Sequence, residues 1–407
     1  MDTFEIDSSE ILKPHDWTTP IPIAYGPGRL KEIGEFCKSF EINNPLLVTD
    51  NKSKDLAFIE TLERYLSNSG LHSEVFYKIS PNPRDDEIEK GCEIFKMGRH
   101  DAIIAIGGGS AMDGGKAVCL TVNNEIPLWD FEWEKPPRKM GKRNPFPKLI
   151  CIPTTAGTGA ETESTAMVTH LEKGMKFCIY HPALKPSLAL LDPELKPSLA
   201  LLDPELTLGL PVNLTAWTGT DAMIHALEAY CVPGDHPLCD GAALQSLYLI
   251  SKSLIPAVEE PDNLRARGGM LVASCLGGVA FLKGLGLVHA ISHMVGAEFD
   301  THHGLTNAIV LPVVTRFNLP GMDKKVRRMS EAMQYKDHSV ESFISNIDEL
   351  LDKINIPKSL NEIGVPEDSA ERISEKAMLD PAYATNPRSS SYDQVLEIVS
   401  AAISKAR

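Results

Sequence analysis

The chain has 407 residues, 43% hydrophobic and 23% charged, an ordinary globular composition with enough apolar material for a full core. Forty basic against fifty-five acidic residues leave a formal charge of −15, which excludes a general role on nucleic acid or anionic lipid. The acidic start MDTFEIDSSE has no apolar segment of a secretory signal, no apolar run is read as a membrane span, and eight scattered cysteines without a CxxC pair indicate reduced thiols in a cytoplasmic protein.

The first half alternates between short apolar runs and amphipathic stretches. Strands are expected at Ile21 to Tyr25, Pro45 to Thr49, Ser73 to Tyr77 and Ala102 to Ile106. Helices are expected at Leu30 to Phe40, Lys54 to Ser67, Asp86 to Met97 and Ser110 to Thr121. Strands separated by helices of this length imply βαβ units and a parallel sheet, and the wholly apolar AIIAI fits a sheet covered on both faces. Phe131 to Pro147, rich in Pro, Lys and Arg, is expected to be an exposed loop. From about Asn213 the apolar spacing becomes helical, with Pro233, Pro256, Pro261, Pro312, Pro320 and Pro357 expected as helix breakers. The expected architecture is an α/β domain over 1–206 and an all-α domain over 207–407. One stretch is anomalous: KPSLALLDPEL occurs twice in tandem, Lys185–Leu195 and Lys196–Leu206. Two identical copies cannot share one strand position, so one is expected to bulge at the surface or to be spliced into the adjacent helix.

Gly107-Gly108-Gly109-Ser110 follows the AIIAI strand and opens a helix. Glycines let the backbone approach a phosphate, and a helix N-terminus offers free N–H groups and a positive dipole end. The spacing is neither G-x-G-x-x-G, because Met112 stands at the third glycine position, nor a Walker loop, because Ala117 follows Lys116; a tight strand-to-helix turn would equally require glycine. Asp50 closes the PLLVT strand, where a carboxylate can accept from a ribose hydroxyl and repel a 2′-phosphate; a turn or cap aspartate is the alternative. Thr154-Thr155-Ala156-Gly157-Thr158-Gly159 suits a loop lying against a nucleotide, or a plain turn.

Six of the twelve histidines lie between His225 and His303. Asp221 and His225 are four residues apart, as are His289 and His293, so each pair shares one helical face. His302 and His303 follow, in an expected loop into another helix. One carboxylate and three imidazoles suit a borderline divalent cation, Fe²⁺ or Zn²⁺, against the alternatives of satisfied core histidines and an N-capping Asp221. Chemistry alone leaves open which three of the five histidines bind.

Four stretches then carry a resemblance: AIGGGSAMDGGKA (105–117), IPTTAGTGAE (152–161), GTDAMIHALEAY (219–230) and GLVHAISHMVGAEFDTHHGLTNAIVLP (286–312). With these in this order, the sequence resembles the iron-containing, group III alcohol dehydrogenases from about Pro20 to its end. The resemblance implies an N-terminal dinucleotide-binding α/β domain, an all-α C-terminal domain and a site in the cleft between them. It implies Asp221, His225, His289 and His303 as metal ligands, His293 beside the nicotinamide, and His302 as a bystander. It places the pyrophosphate on Gly107, Gly108, Gly109 and Ser110 with Asp113 nearby. Asp50 would meet the adenosine ribose and favour NAD over NADP, and Asn82, Thr154, Thr155, Thr158 and Lys176 would line the cofactor. A homodimer or larger homo-oligomer is also implied.

The expected reaction is reversible hydride transfer between a small primary alcohol and nicotinamide C4, the metal lowering the pKa of the alcohol oxygen, with His293 a candidate to pass the alcohol proton onward. Phe281, Leu285 and Phe299 are candidate pocket residues, or plain helix core. No basic cluster marks an anionic substrate, so the expected partners are small uncharged alcohols or aldehydes. The alternatives are an NAD- and metal-dependent lyase of the dehydroquinate synthase type, a zinc glycerol dehydrogenase-like polyol oxidase, and a non-catalytic NAD-binding or metal-sensing module.

Overall fold

The computed structural model describes residues 23–123, 125–133, 135, 146–181 and 197–407. Its described strands are β1 (Ile23–Tyr25), β2 (Pro45–Asp50), β3 (Glu74–Ile79), β4 (Ala102–Gly107), β5 (Lys148–Pro153), β6 (Thr165–His170), β7 (Met175–Tyr180) and β8 (Pro197–Leu202). Six of them make one sheet in the order β1-β8-β5-β4-β2-β3, with every pairing parallel. Helices α1 (Ile33–Ser39), α2 (Ala57–Asn68), α3 (Asp85–Met97) and α4 (Gly109–Thr121) supply the crossovers around β2, β3, β4 and β5. Successive side chains point to opposite faces, so these continuous apolar runs bury both faces of the sheet: Leu46 and Val48 face one core with Ile103 and Leu149, whereas Leu47 faces the other with Ile104 and Ile150.

After β2 the chain moves outward to β3, and after β4 it moves the other way to β5. The strand order therefore reverses between β2 and β4. The crevice beyond the carboxyl ends of strands at such a reversal is where open α/β sheets bind ligands. Asp50 ends β2 and Gly107 ends β4, so both flank this crevice.

The second half is helical: α5 (Val212–Cys231), α6 (Pro237–Glu259), α7 (Leu264–Ala280), α8 (Leu287–Phe299), α9 (His303–Asn318), α10 (Asp323–Ala332), α11 (Val340–Lys353), α12 (Ala370–Ala377), α13 (Pro381–Ala384) and α14 (Tyr392–Ser404). These helices share one apolar cluster, into which α5 is sunk along nearly its whole length.

Several expectations need correction. Pro256 and Pro312 lie inside α6 and α9 and do not end them. Pro256 falls in the last turn, and at Pro312 tertiary packing of a buried helix outweighs one lost backbone bond. The stretch Leu30 to Phe40 is a 3-10 turn, Arg29–Glu32, followed by α1. The antiparallel β6–β7 pair was not anticipated, because its mixed polarity lacks the apolar run that marks the sheet strands. Leu264–Lys283 is long and apolar enough to cross a membrane by length and composition, contrary to the expectation that no stretch is. It is a core helix, 61% buried, and carries the buried Arg267 guanidinium, which donates to Thr215 Oγ1 and to the carbonyls of Pro261 and Leu210.

Of the tandem repeat, the first copy lies outside the described residues. The second supplies β8, inserted between β1 and β5, and Asp203, whose carboxylate accepts from the backbone N–H of Gly28, Leu30 and Glu205. Most of the basic loop from 131 to 147 is also outside the described residues; its first residue, Phe131, is buried.

Candidate active site

At the sheet crevice the backbone makes the site. Gly107 has φ +145°, and a Cβ there would lie 2.7 Å from Ala111 Cβ and 3.3 Å from Asp50 Oδ2. A Cβ on Gly109 would lie 2.6 Å from Thr158 Cγ2. Both glycines are thus fixed by close approach of other chain segments. Gly108 precedes α4, and no side chain caps the helix, so its first-turn N–H groups point outward as a ready anion site. Thr155 lies against Gly108, and Thr154 N–H donates to the Gly107 carbonyl at 2.9 Å, so the 154–159 segment lies directly on the glycine loop.

The polar residues around this crevice are already engaged. Ser110 Oγ donates to the Pro81 carbonyl. Asp50 accepts from the N–H of Lys52 and Ser53 and from Ser53 Oγ, the turn geometry that competes with the ribose reading. Asn82 Oδ1 accepts from Lys176 Nζ at 3.2 Å, and Asn82 Nδ2 donates to Asp300 Oδ1 at 2.6 Å. Burial pushes the Lys176 ammonium down, against Asp113, Asp221, Asp380 and Asp300, which favour its charge. Burial likewise pushes the Asp113 carboxyl up, against Lys116 and Lys176.

The helical half adjoins the same loops. A Cβ on Gly157 would meet Thr218 of α5, and one on Gly159 would meet Ser274 and Gly278 of α7. Asp300, in the left-handed conformation at the end of α8, reaches Asn82 across the junction.

Asp221, His225, His289 and His303 place one ligand atom each within 4.8 Å of one another. Asp221 and His225 stand one turn apart on α5, His289 in the first turn of α8, and His303 opens α9. His289 Nδ1 lies 2.6 Å from Glu228 Oε2. A carboxylate only accepts, so Nδ1 carries a proton, and in the neutral ring Nε2 presents its lone pair to the cluster. His225 Nε2 is 3.0 Å from His289 Nε2. Asn307 Nδ2 faces three acceptors: Asp221 Oδ1 at 2.7 Å, His303 Nε2 at 3.1 Å and His289 Nε2 at 3.2 Å. One amide has two protons, so lone pairs outnumber donors at the centre, the electrostatic condition that a cation relieves. Burial pushes His225 down to about 4, with Asp221 opposing, and pushes His303 well below its ordinary range, helped by the neighbouring imidazoles. Both are therefore neutral near pH 7, as metal ligation requires. At His289 burial works against protonation, but the Glu228 hydrogen bond and the negative charges of Glu228, Asp221 and Asp380 together more than offset it. The donor set fits a borderline divalent cation.

His302 is outside this group. It caps α9, accepting from Leu305 N–H at 3.4 Å, and its ring rests on Trp217 at 5.1 Å. His293 stacks on His303 with centroids 5.5 Å apart, and its Nδ1 lies 2.9 Å from Asp380 Oδ2. Phe281 packs on the His225 ring at 5.0 Å, while Leu285 and Phe299 are partly buried against the helical core. Sequence reasoning missed Glu228, Asn307 and Asp380. Two had a signal: Glu228 is three residues beyond His225, and Asn307 four beyond His303, each on the same helical face as that histidine. Asp380 comes from a distant part of the chain and had none.

Residues 20–193 match the family described as iron-containing alcohol dehydrogenase, and residues 215–403 match its C-terminal domain family. The chain belongs to the iron-containing alcohol dehydrogenase family. It is 34% identical to the 1,3-propanediol dehydrogenase of Citrobacter freundii, over 94% of this chain and 97% of that one. It is 32% identical to the NAD-dependent methanol dehydrogenase of Bacillus methanolicus, over 93% and 97%. Among solved structures it superposes on a 1,3-propanediol oxidoreductase with a TM-score of 0.88, 32% identity and coverage of 96% and 100%. The parallel sheet followed by a helical region is thus an iron-containing alcohol dehydrogenase fold. The protein is an oxidoreductase that interconverts alcohols and aldehydes with NAD(H) and iron as cofactors, and the lyase alternative is not favoured.

Proposed function

We propose that the enzyme transfers hydride reversibly between a small uncharged primary alcohol and NAD⁺, using Asp221, His225, His289 and His303 as its iron ligands. The convergence of one carboxylate and three imidazoles, with an excess of inward lone pairs, carries this reading. Bound divalent iron supplies Lewis acidity toward the alcohol or aldehyde oxygen.

The chain's own residues do the rest. Ligands on helices packed into one core hold their positions without rearrangement, which favours a fixed attack geometry. The backbone N–H groups at Gly107, Gly108, Gly109 and Ser110 receive the pyrophosphate, beside Asp113. Asn82, Thr154, Thr155, Thr158 and Lys176 line the cofactor, and Asp50 faces its adenosine ribose. His293 donates Nδ1–H to Asp380, which leaves Nε2 free to accept the proton the alcohol loses. The division of the chain near 206/207 is supported by the core clusters: two belong to the faces of the sheet and one almost wholly to the helices.

The test is reconstitution. The protein is stripped with a chelator, loaded with Fe²⁺ anaerobically or with Zn²⁺, and assayed by nicotinamide absorbance against short alcohols and aldehydes. Fe²⁺-dependent turnover that disappears in Asp221→Ala is expected. Turnover that persists in Asp221→Ala sinks the ligand assignment. A preference for anionic over uncharged alcohols of equal length sinks the substrate assignment.

A further inference from the structure

The buried Glu228 carboxylate sits outside the ligand group yet touches it. Its two oxygens receive three donors: Oε2 accepts from Gly286 N–H at 3.0 Å and from His289 Nδ1 at 2.6 Å, and Oε1 accepts from Val288 N–H at 2.8 Å. Gly286 and Val288 flank the start of α8. One side chain on α5 thereby ties down the first turn of α8 and the ring of the histidine in that turn. The approach is close enough that a Cβ on Gly286 would fall 2.7 Å from Glu228 Oε1. A negative charge at a helix N-terminus is also favourable in itself.

We infer that Glu228 is a positioning residue of the metal centre: its carboxylate fixes His289 as the Nδ1–H tautomer with Nε2 toward the ligand cluster, and so sets metal affinity. This rests on the ligand assignment above. The carboxylate is required because it alone offers two acceptor atoms to these donors. In Glu228→Gln, an amide oxygen turned toward His289 and Gly286 leaves its NH₂ against Val288 N–H, donor against donor. The opposite orientation puts NH₂ on His289 Nδ1, which forces the proton onto Nε2, the atom that must bind metal. Neither orientation keeps both the helix turn and the correct tautomer. Partners of this kind beyond the ligands are worth about 10–100-fold in metal affinity.

The experiment measures Zn²⁺ and anaerobic Fe²⁺ affinity by chelator competition for wild type, Glu228→Gln, His289→Ala, the double variant and Asp221→Ala. The expected result is an affinity about 10–100-fold weaker in Glu228→Gln, with no further loss when Glu228→Gln is added to His289→Ala. Asp221→Ala retaining wild-type affinity overturns the ligand set and this proposal with it. Affinity that depends on Asp221 but stays within about twofold of wild type in Glu228→Gln overturns this proposal alone. So does an equal loss in the presence and absence of His289, because the effect then does not pass through that ring. If Glu228→Gln does not fold, ¹⁵N-histidine spectra of the Zn²⁺-loaded wild type decide: Nδ1–H with Nε2 on the metal supports the assignment, and the reverse overturns it.

Discussion

The two ends of the active-site cleft are built by opposite means. At the sheet end, side chains are absent: Gly107 and Gly109 let Ala111, Asp50 and Thr158 close in, and the groups proposed to receive the cofactor are backbone N–H. At the helical end, side chains are the site: Asp221, His225, His289 and His303 project from three helices buried in a single core. The first arrangement cannot accept an added methyl group, and the second cannot spare a side chain. The largest effect should therefore come from the helical end. Asp221→Ala is expected to cut turnover by about 10³-fold or more, the loss of several kcal/mol of charge stabilisation, while NADH binding measured by fluorescence stays near wild type. A variant that loses both together would show that the two ends form one cooperative site rather than two.

Gly107→Ala is the matching change at the sheet end. Its Cβ must fit at φ +145° against Ala111, a strain of about 1–3 kcal/mol. NADH affinity should fall roughly tenfold or more, with Zn²⁺ affinity unchanged. Unaltered NADH binding would mean that the glycine serves only the turn.

This contrast also explains what was readable from the residues alone. The apolar strand AIIAI and the i, i+4 pairs Asp221/His225 and His289/His293 announce their surroundings locally, because strand burial and helix faces follow short periodicities. The glycine loop was readable as a loop, but its tight contact with Thr158 needed the structure. The same holds for the choice of His303 over His302: the two are adjacent, and only the start of α9 decides which ring turns inward. Asp380 on His293 and Asp300 on Asn82 join positions 87 and 218 residues apart, distances at which no local pattern operates. The β6–β7 hairpin was missed for a different reason, since its strands are not framed by the apolar signal that marks the sheet.

The two ends should also differ in the sign of their pH dependence. Beneath the glycine loop, burial raises Glu161 to about 7 and Glu163 to about 8, with Lys116 opposing both. Between their ordinary value of 4.5 and these raised values the unfolded chain sheds protons that the folded chain keeps, so this region loses stability as pH rises toward 8. In the metal-free protein His225 behaves oppositely. Its folded value of about 4 lies below the ordinary 6.5. The unfolded chain binds the extra proton in that window, and stability is lost as pH falls from 6.5 toward 4. Hydrogen exchange resolved by region should show the sheet half loosening as pH rises from about 4.5 toward 8 and the helical half as it falls from 6.5 toward 4. Glu161→Gln should flatten this loss between about pH 4.5 and 7 and leave α4 and β5 protected by about 1–3 kcal/mol relative to wild type above about pH 8. Exchange in both halves that moves together with pH would break the distinction.

The smallest predicted effect separates the adjacent histidines. His302 accepts from Leu305 N–H at the long distance of 3.4 Å and lies on Trp217, outside the ligand group. His302→Ala should cost about 0.5–1 kcal/mol of stability as a lost helix cap and leave bound metal at one equivalent. His303→Ala removes a proposed ligand whose Nδ1 meets Ser292 Oγ at 3.0 Å and whose Nε2 meets Asn307. It should lose the metal while α9 keeps the cap that His302 provides. The cap and the ligand are thus separable functions of neighbouring residues, because at a helix start the N-cap side chain folds back on its own backbone while the first helical residue projects from the helix. Metal content that falls equally in both variants would show that the cap itself orients the ligand, and that the precision of the helical end extends to its backbone, as it does at the sheet end.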